Sequence, residues 1–271
     1  MKDEQLKSQV KAYWNKASCG TEYILKEKYT LAYFQEIEQH RYTIEPEIFS
    51  FAQFPRWHGK EMLEVGIGAG TDFTQWVRSG AVAHGIDLTQ EAIYNTQKRL
   101  SLFGLSAKEV KVADAEHIPY QDNRFDLTYS WGVIHHSPDM EQCLSEIIRV
   151  TRPGGTIKLM IYNKHSLFAF YRYLLAGLFK GRPFAKWDDI LFDHQESPGT
   201  KAYTSKEIKK MLKKYPVTLQ LLKAPATNHD LLFYKLGVFR WLAYCAACLL
   251  GWNRIGWFMM IEMQKNEKEY I

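Results

Sequence analysis

LEVGIGAGTD, residues 63–72, decides how the rest of the chain is read. An apolar run, EMLEVG (61–66), leads into three alternate glycines, Gly66, Gly68 and Gly70, and a polar, helix-like TDFTQWVRS follows. Strand, glycine turn and helix in that order open a βαβ unit. Glycine lets the backbone turn tightly and lets a ligand come against the main chain. The dinucleotide fingerprint G-x-G-x-x-G fails, because the place of its third glycine holds Thr71. The pattern is instead Glu-x-Gly-x-Gly-x-Gly, with Glu64 two residues ahead of the first glycine.

Downstream the same texture repeats. AVAHGID (81–87), EVKVAD (109–114), FDLTYSWG (125–132) and GTIKLMIYN (155–163) read as strands. Helix-like TQEAIYNTQKRLSLFG and DMEQCLSEIIRV lie between them. In the second, Met140, Leu144, Ile147 and Ile148 fall on one face, and RPGG (152–155) stops the helix. Such alternation predicts a parallel sheet with helices on both faces. After 163 it is interrupted by an aromatic segment and a polar loop. TSKEIKKMLKK restarts a helix, with Thr204 or Ser205 capping ahead of Glu207, and VTLQLLK (217–223) and WFMMIEMQK (257–265) read as the last strands. The expected fold is α/β, one Rossmann-like core over 59–271 with helical insertions at 164–203 and 224–256. An N-terminal helical segment, 1–58, is expected to close over the site.

Acids follow the glycine loop at successive strand ends. Asp87 ends the second strand, about twenty residues on, where a carboxylate can accept both hydroxyls of a ribose. Asp114 ends the third and is followed by Ala115 and Glu116. An acid there can accept an adenine amino group while a backbone N–H donates to the ring. Glu64, Asp87 and Asp114 together suit a ligand with a cationic amine, a ribose and an adenine, and no phosphate to neutralise.

This combination resembles the class I S-adenosylmethionine-dependent methyltransferases, and most of all the broad branch that includes the ubiquinone/menaquinone methyltransferases. The residues that carry the resemblance are LEVGIGAGTD, GIDLT, VADAEHIPYQDNRFDLTYSWGVIHHSPD and RVTRPGGTIKLMIY. It covers residues 60–163 well and the last strand loosely. It implies a seven-stranded sheet whose last strand runs antiparallel, and S-adenosylmethionine as methyl donor. Glu64 would lie near the methionine amino group, and Gly66, Gly68 and Gly70 against the methionine and ribose. Asp87 and Leu88 would meet ribose and adenine, and Asp114 and Ala115, with Glu116 beside them, the adenine edge. Ser130 or Trp131 would line the sulfonium side. The motifs say almost nothing of the substrate.

SWGVIHHSPD (130–139) places His135 and His136 between the fourth strand and the next helix, for which Ser137 suits the N-cap and Pro138 the first turn. No further ligands converge to make a metal site there. A helix N-terminus and a sulfonium both disfavour imidazolium, so a neutral histidine could take a proton from the nucleophile. His135, nearer the strand end, is the preferred base. The alternative packs one ring under the helix and uses the other to cap loop carbonyls. Tyr13 and Trp14 could face the sulfonium or anchor the core, and Arg41 or Tyr42 could reach the site. Tyr162, Asn163, His165, Asp193, His194 and Glu196 are candidate substrate contacts or plain loop residues.

The chain of 271 residues carries a formal net charge of +5 with no dense basic run, and no NPPY-type tetrapeptide follows the fourth strand. Nucleic acid is therefore not expected as a partner. Four cysteines make no disulfide framework, and Cys245 and Cys248, a lone C-x-x-C, read as small buried residues. No signal peptide is read at the N-terminus, and WLAYCAACLLGW (241–252) falls short of the ~20 residues a bilayer needs. A cytoplasmic location is expected. Aromatics make up 14% of the chain and concentrate in the insertions. These read as an apolar substrate pocket, a peripheral membrane face bordered by Lys235 and Arg240, or packing and a homodimer interface. The resulting expectation is methyl transfer to a small, partly apolar molecule. A binding module without chemistry and a macromolecular methyltransferase are the competing readings.

Overall fold

The computed structural model describes residues 2–177, 180–181, 197–227, 230 and 237–267. Three helices come first: α1 (Lys2–Lys16), α2 (Leu31–Ile44) and α3 (Glu47–Ala52). Then β1 (Glu61–Val65), α4 (Thr71–Arg78), β2 (Val82–Asp87), α5 (Gln90–Leu102), β3 (Glu109–Val112) and β4 (Phe125–Trp131) alternate. The chain continues through α6 (Met140–Val150), β5 (Thr151–Tyr162), α7 (Leu167–Ala176), α8 (Ser205–Leu212), β6 (Val217–Lys223), α9 (Gly237–Leu250) and β7 (Phe258–Lys265). The seven strands lie in the order β3-β2-β1-β4-β5-β7-β6. β1 to β5 pair in parallel, and β7 inserts antiparallel between β5 and β6.

Side-chain alternation along β1 divides the core. Met62 joins one layer with Phe73, Trp76, Phe51 and Phe54, under α3 and α4. Leu63 and Val65 face the other, against Leu144 and Ile147 of α6 and Ile208 and Leu212 of α8. Each large apolar side chain buried this way is worth roughly 1.5–3 kcal/mol. Glu64 shares the face of Met62, so a carboxylate is built into the α4 layer. Lys158 of β5 is fully buried there too, donating to the carbonyl of Phe51 at 2.6 Å and to Gln53 Oε1 at 2.9 Å. α3 is thus tied to the sheet by a cation with its donors used.

Local sequence explains most boundaries. Thr30, Thr89 and Ser166 each cap a helix through the side chain, and Thr204 with Glu207 completes a capping box. One cap differs from the sequence reading. α6 is capped by Asp139, whose carboxylate accepts the Gln142 N–H at 2.9 Å. Ser137 is occupied elsewhere, its hydroxyl donating to Glu116, and residues 134–136 form a single 3-10 turn ahead of it. β5 also starts earlier than the expected residue 155: it begins at Thr151 and takes in RPGG (152–155), read as a helix stop. Among the described residues, no helix is long and apolar enough to cross a membrane. α9 buries Ala243 and Ala247 and exposes Trp241, Leu242, Leu249 and Leu250.

Two glycines distinguish packing from conformation. A Cβ at Gly256 would fall 1.7 Å from the carbonyl oxygen of Pro225, a backbone atom that cannot step aside. At Gly104, φ is +65° but nothing lies within 4 Å. Gly256→Ala should therefore cost about 3 kcal/mol or more, and Gly104→Ala about 1–2 kcal/mol, in urea unfolding.

Candidate active site

A cavity of about 540 Å³ opens at the carboxyl ends of the parallel strands. This is where ligands of open α/β sheets bind. The glycine loop forms its floor. Gly66 donates its N–H to the Ile86 carbonyl at 2.8 Å, and a Cβ there, at φ +83°, would meet Val133 at 2.2 Å. Asp87 is held by three donors: the Gly68 N–H at 3.1 Å, the Thr89 N–H at 2.9 Å and the Thr89 hydroxyl at 2.8 Å. Burial raises its pKa, and those donors work against the rise.

Glu64 is 3% exposed and lines the cavity, and its Oε2 has no hydrogen-bond partner among the described residues. Burial pushes its pKa well up, nearby Asp72 adds to the rise, and Arg41 opposes it. A buried carboxylate oxygen without a donor, beside a cavity, fits a ligand that brings the donor. Asp114 accepts the Glu116 N–H at 2.9 Å and the Lys7 ammonium at 2.8 Å. Glu116 also accepts from Lys7 and from the Asp139 N–H at 3.2 Å. Burial works against the Lys7 ammonium, but the two carboxylates outweigh it and raise its pKa. α1 is thereby anchored across the β3 end of the site.

Leu88, Ala115 and Trp131 line the same cavity, as do Gly66, Gly68 and Glu116. Gly70 and Ser130 do not: Gly70 is the N-cap of α4, and the Ser130 hydroxyl donates to the Val65 carbonyl at 2.9 Å. Tyr13 and Trp14 both line it. Asp193, His194, Glu196 and Lys235 lie outside the described residues.

The sequence reading missed a network centred on Asp72. Its carboxylate takes a two-point contact from Arg41, at 3.0 and 2.9 Å, and hydroxyls from Tyr42 at 3.1 Å and Tyr129 at 3.2 Å. Arg41 also approaches Glu45 at 3.7 Å, and Trp131 Nε1 donates to Glu45 at 2.7 Å. Burial raises the Glu45 pKa, while Arg41 lowers it. Only the i,i+4 pair Arg41–Glu45 left a trace in the sequence.

The histidines separate. His136 lines the cavity; His135 is fully buried, does not line it, and packs tilted against Tyr162 with ring centroids 4.0 Å apart. His136 Nδ1 lies 2.9 Å from both Ser197 Oγ and Thr200 Oγ1. Thr200 spends its hydroxyl proton on the Ser197 carbonyl at 2.7 Å, so toward His136 it can only accept. An Nδ1–H shared with these oxygens leaves the lone pair on Nε2, whereas a Ser197 hydroxyl that donates to Nδ1 leaves the hydrogen on Nε2. Burial pushes the His136 pKa down to about 3 and the His135 pKa well below its usual value, His136 adding to the latter. Segment 197–203 is thus part of the site, and Lys201 strengthens the docking by donating to the Ser137 carbonyl at 3.0 Å.

Beyond Trp131 the walls are aromatic. Tyr162, Trp257, Phe258, Tyr13 and Trp14 enclose that end, with Tyr162 stacked on Trp257 at 4.2 Å. The edge of Trp14 meets His136 at 5.4 Å.

Residues 63–159 match the family model described as "Methyltransferase domain". The chain is similar to phosphoethanolamine N-methyltransferase 2 of Caenorhabditis elegans, 33% identical over 107 residues, which are 39% of this chain and 24% of that protein. It is similar to norajmaline N-methyltransferase of Rauvolfia serpentina, 34% identical over 110 residues, 40% of this chain and 38% of that one. The chain therefore spans well under half the length of these curated relatives. Among solved structures, geranyl diphosphate C-methyltransferase from Streptomyces coelicolor superposes with a TM-score of 0.64 at 14% identity, over 96% of this chain and 98% of that one. Strand order and superposition define a Rossmann-like α/β fold, shared with that methyltransferase.

Arg41→Met leaves Asp72 charged and buried. It should cost about 3–5 kcal/mol in urea unfolding, and Asp72→Asn in that background should restore most of the loss. The histidine pair adds an acid sensitivity. The unfolded chain takes up protons on both imidazoles below about pH 6.5, while the folded chain holds His136 neutral to about 3. Their contribution to stability is therefore full above pH 6.5 and falls with decreasing pH, by roughly 1.4 kcal/mol per pH unit per histidine. Comparing wild type with His135→Gln/His136→Gln, unfolded at pH 7 and pH 5, should show the wild type losing more.

Proposed function

We propose that the chain transfers the methyl group of S-adenosylmethionine to a small, partly apolar acceptor. What carries the reading is one cavity that joins the orphaned carboxylate oxygen of Glu64, the pre-bonded Asp87 and the acid at Asp114, around a glycine loop. In this reading Glu64 receives the methionine ammonium. Asp87 receives the ribose hydroxyls, with Leu88 against the adenine, and Asp114 and Ala115 meet the adenine edge. When bound, the sulfonium supplies an activated methyl group and a neutral thioether as leaving group.

The protein's own task is alignment and exclusion of water. Trp131 borders the donor and acceptor halves, and α1 covers the β3 end through Lys7. His136, neutral at pH 7, is placed to take the proton that the acceptor loses. The norajmaline relative and the geranyl diphosphate neighbour are named for small molecules, which supports a small acceptor here. The sequence motifs put the chain nearest the ubiquinone/menaquinone branch.

Calorimetry with S-adenosylhomocysteine tests the binding half. Wild type should titrate, and Asp87→Asn should weaken binding by roughly 10–100-fold, the worth of a charge-assisted bond of 1.5–3 kcal/mol. His136→Gln should keep that affinity and lower turnover by about 10²-fold or more with any acceptor that is methylated. Equal losses in affinity and turnover would remove the base role. A clean nicotinamide dinucleotide titration, with no heat from S-adenosylhomocysteine, would remove the reading itself.

A further inference from the structure

The chain as a whole carries +5, yet the cavity is walled the other way. Among the described residues lining it, carboxylates outnumber cations seven to two. The two cations are already committed: Lys7 to Asp114 and Glu116, and Arg41 to Asp72 through both of its short bonds. Glu64 and Asp87 lie on the donor half, at the β1 and β2 ends. Glu45 lies on the other half, bonded to Trp131 at the end of β4, with its side chain 17% exposed. Arg41 approaches it only at 3.7 Å. Around it the faces of Trp131, Tyr162, Trp257 and Phe258 line the wall.

Resting on the methyl-transfer reading, we infer that the acceptor is an amine carried on an apolar body, and that Glu45 is the carboxylate that receives it. An anionic acceptor, carboxylate or phosphate, would enter a chamber of like charge. A phenol would have to ionise beside carboxylates, which raises its pKa. An amine meets neither obstacle. Its ammonium form is drawn in by Glu45 and the aromatic faces. It loses one proton to solvent, and the neutral nitrogen then uses its lone pair to form the N–C bond as the C–S bond breaks, with that electron pair staying on sulfur. The positive charge passes from sulfur to nitrogen and remains inside acidic, aromatic walls. The same walls would give nothing to a reaction in which an anion and the sulfonium cancel.

The test uses protein saturated with S-adenosylhomocysteine at pH 7 and three ligands of one skeleton: phenylpropylamine, phenylpropanol and phenylpropionate. Binding is read by calorimetry and by quenching of tryptophan fluorescence. The amine should bind at least tenfold more tightly than the alcohol, and the carboxylate more weakly than both. Glu45→Gln, which keeps an acceptor for Trp131, should bring the amine to the level of the alcohol while leaving S-adenosylhomocysteine affinity unchanged. The inference is overturned if the amine shows no preference over the other two at any affinity, none included, or if the preference survives Glu45→Gln. Protein that binds S-adenosylhomocysteine but shows no preference loses the amine alone. Protein that does not bind it loses the methyl-transfer reading as well.

Discussion

There is no room for a side chain at Gly66. The loop after β1 has to pass under Val133, from the turn after β4, while the Gly66 N–H reaches the Ile86 carbonyl of β2. That crossing brings the ends of three neighbouring strands to one point. It aims the next N–H, that of Gly68, at Asp87, and it starts α4 at Thr71 so that Asp72 turns inward. A larger residue at 66 would lift the loop from the sheet and scatter all three. The cavity exists because the backbone, not a side chain, occupies its floor.

Placing Glu64, Asp72 and Glu45 close together in a poorly solvated site is expensive, and the fold answers with a single guanidinium. Arg41 gives Asp72 two parallel bonds and leaves its third nitrogen toward Glu45. Tyr42 and Tyr129 complete Asp72 with hydroxyls, which add donors without adding charge. Glu64 keeps one oxygen, Oε2, without a hydrogen-bond partner among the described residues, and burial raises its pKa against the pull of Arg41. Compensation is therefore fullest at Asp72, partial at Glu45 and weakest at Glu64. That gradient makes the wall receptive to cations rather than merely acidic.

How much of this could be read from the chain depended on distance along it. The strands were legible because each is an apolar run bounded by turn residues, and β1 to β4 fall within a residue or two of their expected ends. The places of Asp87 and Asp114 were legible because one ends β2 and the other follows β3 by two residues, positions that local sequence specifies. Arg41 and Asp72 are 31 residues apart on separate helices, and no local pattern states that they meet. The choice between His135 and His136 was likewise out of reach. Adjacent residues in a 3-10 turn point in different directions, and only the turn's packing on Tyr162 and Thr200 decides which one sees the cavity. Ser137 was misplaced as a cap because Asp139, an equally good one, is two residues on, and Glu116 draws the serine away.

α1 shows where the chain's apolar surface is spent. Of its described side chains only Val10 is buried, while Leu6, Lys7, Tyr13 and Trp14 are half-buried on the same stripe. That stripe does not join either sheet layer. It meets the cavity through Lys7, Tyr13 and Trp14, and an added Cβ at Gly199 would touch Leu6 at 2.9 Å. The segment that holds His136 is therefore itself covered by α1. Helix, histidine turn and segment 197–203 meet over the sheet edge, α1 being joined to the rest by an ion pair, an edge-on ring contact and a few hydrogen bonds. The glycine loop and its acids thus rest on the sheet, while α1 supplies a separate wall of the cavity through Lys7, Tyr13 and Trp14.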